Sequence, residues 1–332
     1  MAAAGSRPPG QGTAAALTDA PLLSDLAEGP QGGAAHWLQT SDAQRIRIGI
    51  WPAQGTAQGT GRGTLLLFPG RTEYIEKYGR FAHPVTRAGL SMLAVDWRGQ
   101  GLADRPPHRW DMGHVETFDE YQRDVASIVQ AAEALDLPRP WYLLGHSMGG
   151  AIGLRALHNG LSVERAVFTA PMWGILMSPG SRLAAGFLSR LSQRLGLDKR
   201  FTPSMGPAAA MPFAANPLTH DRETFEYFEG QVAKRPELNL GGPSVRWLIE
   251  ALKETAELVS LKAPAVPALT YLGSQEAIVD PARIRDRMAS WPGGRLEVVD
   301  GARHEVLMER PEIRERVIQG ALSWCLDENG KS

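Results

Sequence analysis

The sequence predicts an α/β fold, with a mostly parallel central sheet, helices on both of its faces and a helical insertion above one edge. Three observations predict it. Short, continuous apolar runs of strand length alternate with stretches whose apolar residues recur at helical spacing. The alternation stops between about residues 171 and 263, where only helix-like stripes remain. The turn Gly145-His146-Ser147-Met148-Gly149 joins an apolar run to a helix-compatible stretch. Strand, sharp turn and helix are the context that lifts a serine hydroxyl above a sheet edge.

Bulk properties narrow the function classes. With 332 residues, 43% of them apolar, the chain can build one large α/β domain with an insertion, or two domains. The formal net charge is −1, so no global field favours nucleic acid or an anionic membrane. The single cysteine, Cys325, cannot form an internal disulfide and is expected to pack on the last helix. No run is long and apolar enough to span a bilayer. The opening stretch, Met1 to Ala16, is rich in Ala, Gly and Pro. It is expected to be a disordered tail rather than a secretory signal. The default expectation is a cytoplasmic enzyme, with peripheral membrane contact left open.

Taken in order, residues 1–35 read as a disordered or irregular lead-in. His36 to Trp51 alternates loosely and reads as one or two antiparallel edge strands. Thr64 to Phe68 is apolar enough for a strand buried on both faces. It runs into Pro69-Gly70-Arg71-Thr72-Glu73 and a helical stretch with Tyr74, Tyr78, Phe81 and Val85 on one side, kinked or ended at Pro84. Ser91 to Asp96 is another buried strand. A helix from about Thr117 to Leu135 presents Phe118, Tyr121, Val125, Ile128 and Ala132 at helical spacing. Trp141 to Leu144 leads to the serine turn, and Arg165 to Thr169 is a further strand.

The insertion carries three stripes: Leu183, Phe187, Leu191 and Leu195; Phe225, Phe228 and Val232; Leu248, Leu252, Ala256 and Val259. They read as a lid over the carboxyl edge of the sheet, where ligands bind in open α/β sheets. Strands resume at Val266 to Leu272 and Arg295 to Val299, and a helix from about Pro311 to Trp324 closes the chain. The domain division is therefore a core of 36–170 and 264–332 with a cap of 171–263.

A serine hydroxyl is a poor nucleophile and needs a base, which in turn needs a partner that fixes its tautomer. On this fold the chain order is serine, acid, histidine, with the last two at consecutive strand ends. Of eight histidines, only His304 follows a late strand in a glycine-containing loop, so His304 is the expected base for Ser147. His146 is beside the serine but is expected to point elsewhere. Glu276 follows the strand ending at Leu272 and is the favoured acid. Asp280 is the alternative, although its place before Pro281 also suits a helix cap. Two backbone N–H groups should hold the developing oxyanion, on Met148 and Arg71. The Arg71 side chain is in addition either a ligand for a substrate anion or a solvated surface group.

These residues together resemble the α/β-hydrolase superfamily, and within it the monoacylglycerol lipase and bacterial lysophospholipase branch, serine hydrolases with a helical cap. The likeness rests on Pro69 to Glu73 with Lys77-Tyr78, Asp96-Trp97-Arg98-Gly99-Gln100-Gly101, Gly145 to Gly150, and Gly301-Ala302-Arg303-His304-Glu305. Cap phrases such as Asn216-Pro217-Leu218-Thr219 and Gly241-Gly242-Pro243-Ser244 add to it, and it spans roughly residues 36 to 326. Two departures stand out. Pro69-Gly70 replaces the His-Gly of many members, and Glu276 stands where aspartate is usual. The resemblance implies the α/β-hydrolase fold and hydrolysis of a carboxylic ester with one long acyl chain, a small-molecule lipid substrate, without metal or organic cofactor. Met205, Met211, Phe213 and Trp247 would then line an acyl tunnel or form the lid's own core. The alternatives are a small-ester esterase or an aminopeptidase-type hydrolase. A peptidase would hold a free amine with lid carboxylates such as Glu223, Glu226 and Glu229. A non-catalytic binding protein is disfavoured by the intact serine, acid and histidine set.

Overall fold

A computed structural model of the chain describes residues 17–55, 61–106, 109–178, 196–203 and 205–327. Among the described residues, nine strands form one sheet: β1 (Thr18–Ala20), β2 (Ala34–Gln39), β3 (Arg45–Trp51), β4 (Thr64–Phe68), β5 (Ser91–Asp96), β6 (Trp141–His146), β7 (Arg165–Thr169), β8 (Ala268–Gly273) and β9 (Gly294–Val299). Their spatial order is β1-β2-β3-β5-β4-β6-β7-β8-β9. The first three strands are antiparallel to their neighbours, and β3 pairs antiparallel with β5. From β5 across to β9 every pairing is parallel.

The helices are α1 (Ser24–Ala27), α2 (Gly79–Arg87), α3 (Glu120–Ala134), α4 (Met148–His158), α5 (Arg222–Lys234), α6 (Val245–Ser260), α7 (Pro281–Ala289) and α8 (Pro311–Leu326). Period-two alternation decides which face each strand residue feeds. Leu66, Phe68, Leu143, Ala166 and Phe168 pack with Ile128 of α3, Ile152 of α4 and Ile284 of α7. Their chain neighbours Leu65, Leu67, Tyr142, Leu144 and Val167 pack with Phe81 and Val85 of α2 and Val317 and Ala321 of α8. Both faces are thus covered, which is why these strands are continuously apolar. Cys325 is buried in the second of these cores.

The lead-in is more ordered than the sequence suggests. Within residues 18–27 lie β1, which pairs with β2 at the outer edge, and the short helix α1. Helix α2 continues through Pro84 to Arg87 instead of ending there. The stretch from 171 to 263 contributes no strand to the sheet among the described residues, and α5 and α6 lie within it. Its first expected stripe, Leu183 to Leu195, lies outside the described residues, as does the Met1 to Ala16 stretch. In α5, Phe225 and Phe228 are buried as expected. The α6 stripe is shifted by one position. Its buried face is Trp247, Ala251, Glu254 and Leu258, whereas Val259 is 43% exposed. The reason is electrostatic: Arg155 of α4 donates to both carboxylate oxygens of Glu254 at 2.8 and 2.9 Å, so a charged residue occupies the inner face.

Candidate active site

The carboxyl ends of β4, β6, β8 and β9 carry the residues expected at the site. Phe68 pairs with Gly145 at the ends of β4 and β6, so the Pro69-Gly70-Arg71 loop and Ser147 leave the sheet side by side. Ser147 is held at φ 49° and ψ −118°, a conformation that costs a non-glycine residue about 1–3 kcal/mol and persists only where the surroundings enforce it. Here they do. The Ser147 N–H donates to Thr169 O at 3.0 Å, and its carbonyl accepts from Gly150 and Met172 at 2.9 and 2.8 Å. Glycine is required on both sides. A Cβ on Gly149 would collide with the Phe68 carbonyl, and one on Gly145 would come within 2.9 Å of Gly149 O and Gly150 Cα.

His304 and Glu276 meet across the β8 and β9 loops. The Nδ1 of His304 lies 2.7 Å from Oε2 of Glu276, with both side chains almost wholly buried. The second oxygen, Oε1, accepts the N–H groups of Ile278 and Val279 at 2.7 and 3.1 Å, which fixes the carboxylate. Burial opposes ionisation of Glu276, but the His304 hydrogen bond and charge, with those two N–H groups, hold it below its ordinary value. The Ser274 and Gln275 N–H groups bond to Val299 O and Ala302 O at 2.9 Å, tying the two loops together. Asp280 is not part of this arrangement. It caps α7, accepting from Ala282 and Arg283 N–H at 3.0 and 3.4 Å. The His304 ring centroid is 4.9 Å from that of His146, the residue before Ser147.

The Pro69–Glu73 loop is pinned from beneath. Trp97 Nε1 donates to Pro69 O at 3.0 Å, and Gln100 Nε2 donates to Gly70 O and Glu73 O at 2.8 and 3.0 Å. Asp96 organises the same corner, accepting from Arg47 Nε, Ile75 N and Leu102 N at 2.8 Å each. This explains the Asp96 to Gly101 phrase. Met148 opens α4, and neither its N–H nor that of Arg71 donates to an acceptor among the described residues. Both donors are therefore available to an incoming oxygen.

One feature was not legible in the sequence. Glu73, Lys77, His146 and Glu305 form a buried charged cluster under the site, each at most 6% exposed. Glu73 accepts from the Gly70 N–H and from Tyr78 Oη at 2.6 Å. Lys77 Nζ donates to Glu73 and, at 2.6 Å, to Glu305. His146 Nε2 is 3.4 Å from Glu305 Oε2, and its Nδ1 is 2.9 Å from Thr169 Oγ1. Burial works against the imidazolium of His146, yet Glu305 and Glu73 raise its pKa above the ordinary value. Glu73, His146 and Glu305 bring ligand atoms within 4.8 Å of one another, a spacing a metal ion could use. The Lys77 ammonium donates to both carboxylates and supplies the counter-charge there. The only advance signals were the i,i+4 spacing of Glu73 and Lys77 and the acid directly after His304.

The remaining candidates lie in the cap. Trp247 is buried against Phe118 and donates to Tyr121 Oη at 3.1 Å, and Phe213 packs edge-on against Phe225, as the lid-core alternative expects. Met205 is 59% exposed. Glu223 and Glu226 pair with Arg80 and Arg222 and are more than half exposed, the solvated face that their helical spacing suits.

A model of the family described as serine aminopeptidase, S33, matches residues 59–311. The chain belongs to this family. Within this α/β-hydrolase family it is 32% identical to lysophospholipase L2 of Escherichia coli K12 over 284 residues, covering 81% of this chain and 82% of that protein. It is 24% identical to human monoglyceride lipase over 297 residues, covering 86% and 88%. Among solved structures, a soluble variant of monoglyceride lipase from Saccharomyces cerevisiae superposes with a TM-score of 0.67 at 20% identity, covering 86% of this chain and 92% of that one, a likeness of fold.

Proposed function

We propose that this α/β-hydrolase cleaves carboxylic esters of lipids that carry a single long acyl chain, through an acyl-enzyme on Ser147. The observation that carries this reading is the 2.7 Å contact of His304 Nδ1 with the fixed carboxylate of Glu276, beside a serine strained at the turn. With Nδ1 protonated and engaged, Nε2 of His304 is left free to accept the Ser147 proton. Ser147 Oγ attacks the ester carbonyl while the Met148 and Arg71 N–H groups receive the oxyanion. Collapse expels the alcohol, which takes the proton back from His304. Water, activated by the same imidazole, then releases the fatty acid. Glu276 stays ionised throughout and stabilises the imidazolium.

Long-chain lipid esters are favoured over small esters because the relatives of this chain are named lysophospholipase L2 and monoglyceride lipase. No helix among the described residues is long and apolar enough to cross a membrane. Exposed Trp110 and Met205 offer apolar side chains for peripheral contact with a lipid surface. The test is hydrolysis of p-nitrophenyl esters from acetate to palmitate beside Ser147→Ala. Wild type should prefer the longer chains, and the variant should lose at least about a thousandfold. Activity confined to acetate, or to aminoacyl amides, would contradict the lipid reading.

A further inference from the structure

The Arg71 side chain departs from the pattern of the other inward-facing arginines. Arg47 is paired with Glu76 and Asp96, both at 2.7 Å, Arg98 with Asp42 and Asp124, and Arg155 with Glu254 and Glu257. Arg105 and Arg287 lack carboxylates but spread their N–H groups over several backbone carbonyls. Arg71 has neither solution. One nitrogen, Nη1, donates to Gly241 O at 2.8 Å. The rest of the guanidinium finds no acceptor among the described residues, and no carboxylate lies within ion-pair distance there. Its charge is held 5.7 Å from the Trp247 ring, and Nη1 packs near Gly113. This packing lowers its pKa to about 10 through burial, so it stays charged at neutral pH. Asp111 and Glu116 pair elsewhere, Asp111 with Arg109 and Glu116 with Lys199 and His114.

Arg71 is only partly covered, so its unused donors face solvent, where an arriving anion can take them in place of water. Its position names the anion. Arg71 follows Gly70, whose would-be Cβ lies 3.2 Å from Ser147 Cβ, so one residue offers its backbone N–H to the reacting ester oxygen and its guanidinium to whatever lies one side-chain length away. In a lysophospholipid, the phosphate is separated from the ester carbonyl by the glycerol carbons. That path has about as many bonds as an arginine has between its backbone nitrogen and its guanidinium carbon. A monoacylglycerol has only a neutral hydroxyl at that distance.

We infer that the Arg71 guanidinium is a headgroup subsite that binds the phosphate of a lysophospholipid and selects it over a neutral monoacylglycerol. The inference rests on the hydrolase reading above and deepens it. A phosphate oxygen would take the unused Nη2 and Nε donors in the forked geometry that arginine offers and lysine does not.

The test compares kcat/KM for 1-palmitoyl lysophosphatidylethanolamine and 1-palmitoylglycerol in wild type, Arg71→Gln and Arg71→Lys. The two substrates share acyl chain and scissile bond, so damage to the fold or to the oxyanion loop lowers both together. The ratio of the two should fall about 10–100-fold in Arg71→Gln, the range for losing a hydrogen-bonded charge, and less in Arg71→Lys. Added inorganic phosphate should inhibit wild type competitively and Arg71→Gln much less. Wild type active on the pair with a ratio unmoved by Arg71→Gln overturns the subsite and leaves the hydrolase reading intact. Wild type inert on both lipids overturns the hydrolase reading, and the subsite falls with it.

Discussion

Glu276 and Asp280 lie four residues apart and face different partners, a difference that substitution can test. Glu276→Gln keeps an oxygen to accept from Ile278 and Val279, now 2.7 and 3.1 Å from Oε1. It replaces the oxygen 2.7 Å from His304 Nδ1 with an amide donor. An N–H facing Nδ1 favours the tautomer with its proton on Nε2, which cannot accept from Ser147. The expected loss in kcat is about 10,000-fold, or about 5 kcal/mol of transition-state stabilisation, by analogy with the same change in a serine protease triad. Asp280→Ala removes the bonds to Ala282 and Arg283 and should cost about 1 kcal/mol of stability, the ordinary worth of such a cap, with kcat within about twofold. The assay is kcat on p-nitrophenyl palmitate together with urea unfolding of each variant. The folded-state pKa of Glu276 is depressed from 4.5, so its stabilising contribution is whole above 4.5 and is lost as pH falls through the lower folded value. Glu276→Gln should flatten that acid limb of the stability curve. An Asp280→Ala enzyme without activity, or an active Glu276→Gln enzyme, would refute the assignment.

Three further expectations concern the scaffold. Gly149→Ala drives a methyl into the Phe68 carbonyl and should lose about 1–3 kcal/mol or more by overpacking, with activity falling alongside. Gly230→Ala in α5, where a Cβ meets nothing within 4 Å, should stabilise by about 0.5–1 kcal/mol. Equal urea midpoints for the two would contradict the close approach at the turn. Lys77→Met strands the buried carboxylates of Glu73 and Glu305 and should cost about 3–5 kcal/mol. Adding Glu305→Gln should recover part of it, and a single variant within 1 kcal/mol of wild type would show the cluster to be far better hydrated than its burial implies.

The strands from β4 to β8 were legible because burial on both faces writes them as apolar runs, while β9 is a half-exposed edge strand; Ser147, Glu276 and His304 were legible because each follows a strand end. Sequence reasoning failed where polarity and burial part company. The inner face of α6 includes Glu254, visible only once Arg155 of α4 is in place. The edge strand β1, Thr18-Asp19-Ala20, is mostly exposed and carries no alternation. Glu73, Lys77, His146 and Glu305 look like solvated residues until the fold brings four separate positions together. That cluster joins the Gly70 loop, the serine turn and the histidine loop through ion pairs that no local pattern announces. Geometry separates Glu276 from Asp280: one carboxylate faces His304 and the other faces a helix end.

The central claim is that Ser147 is the nucleophile activated by His304. The most direct measurement is peptide mapping by mass spectrometry after reaction with a long-chain alkyl fluorophosphonate. A single adduct on Ser147 is expected, absent in Ser147→Ala and at least about a hundredfold slower to form in His304→Ala. An adduct on another residue, or labelling that persists at the wild-type rate without His304, would contradict it.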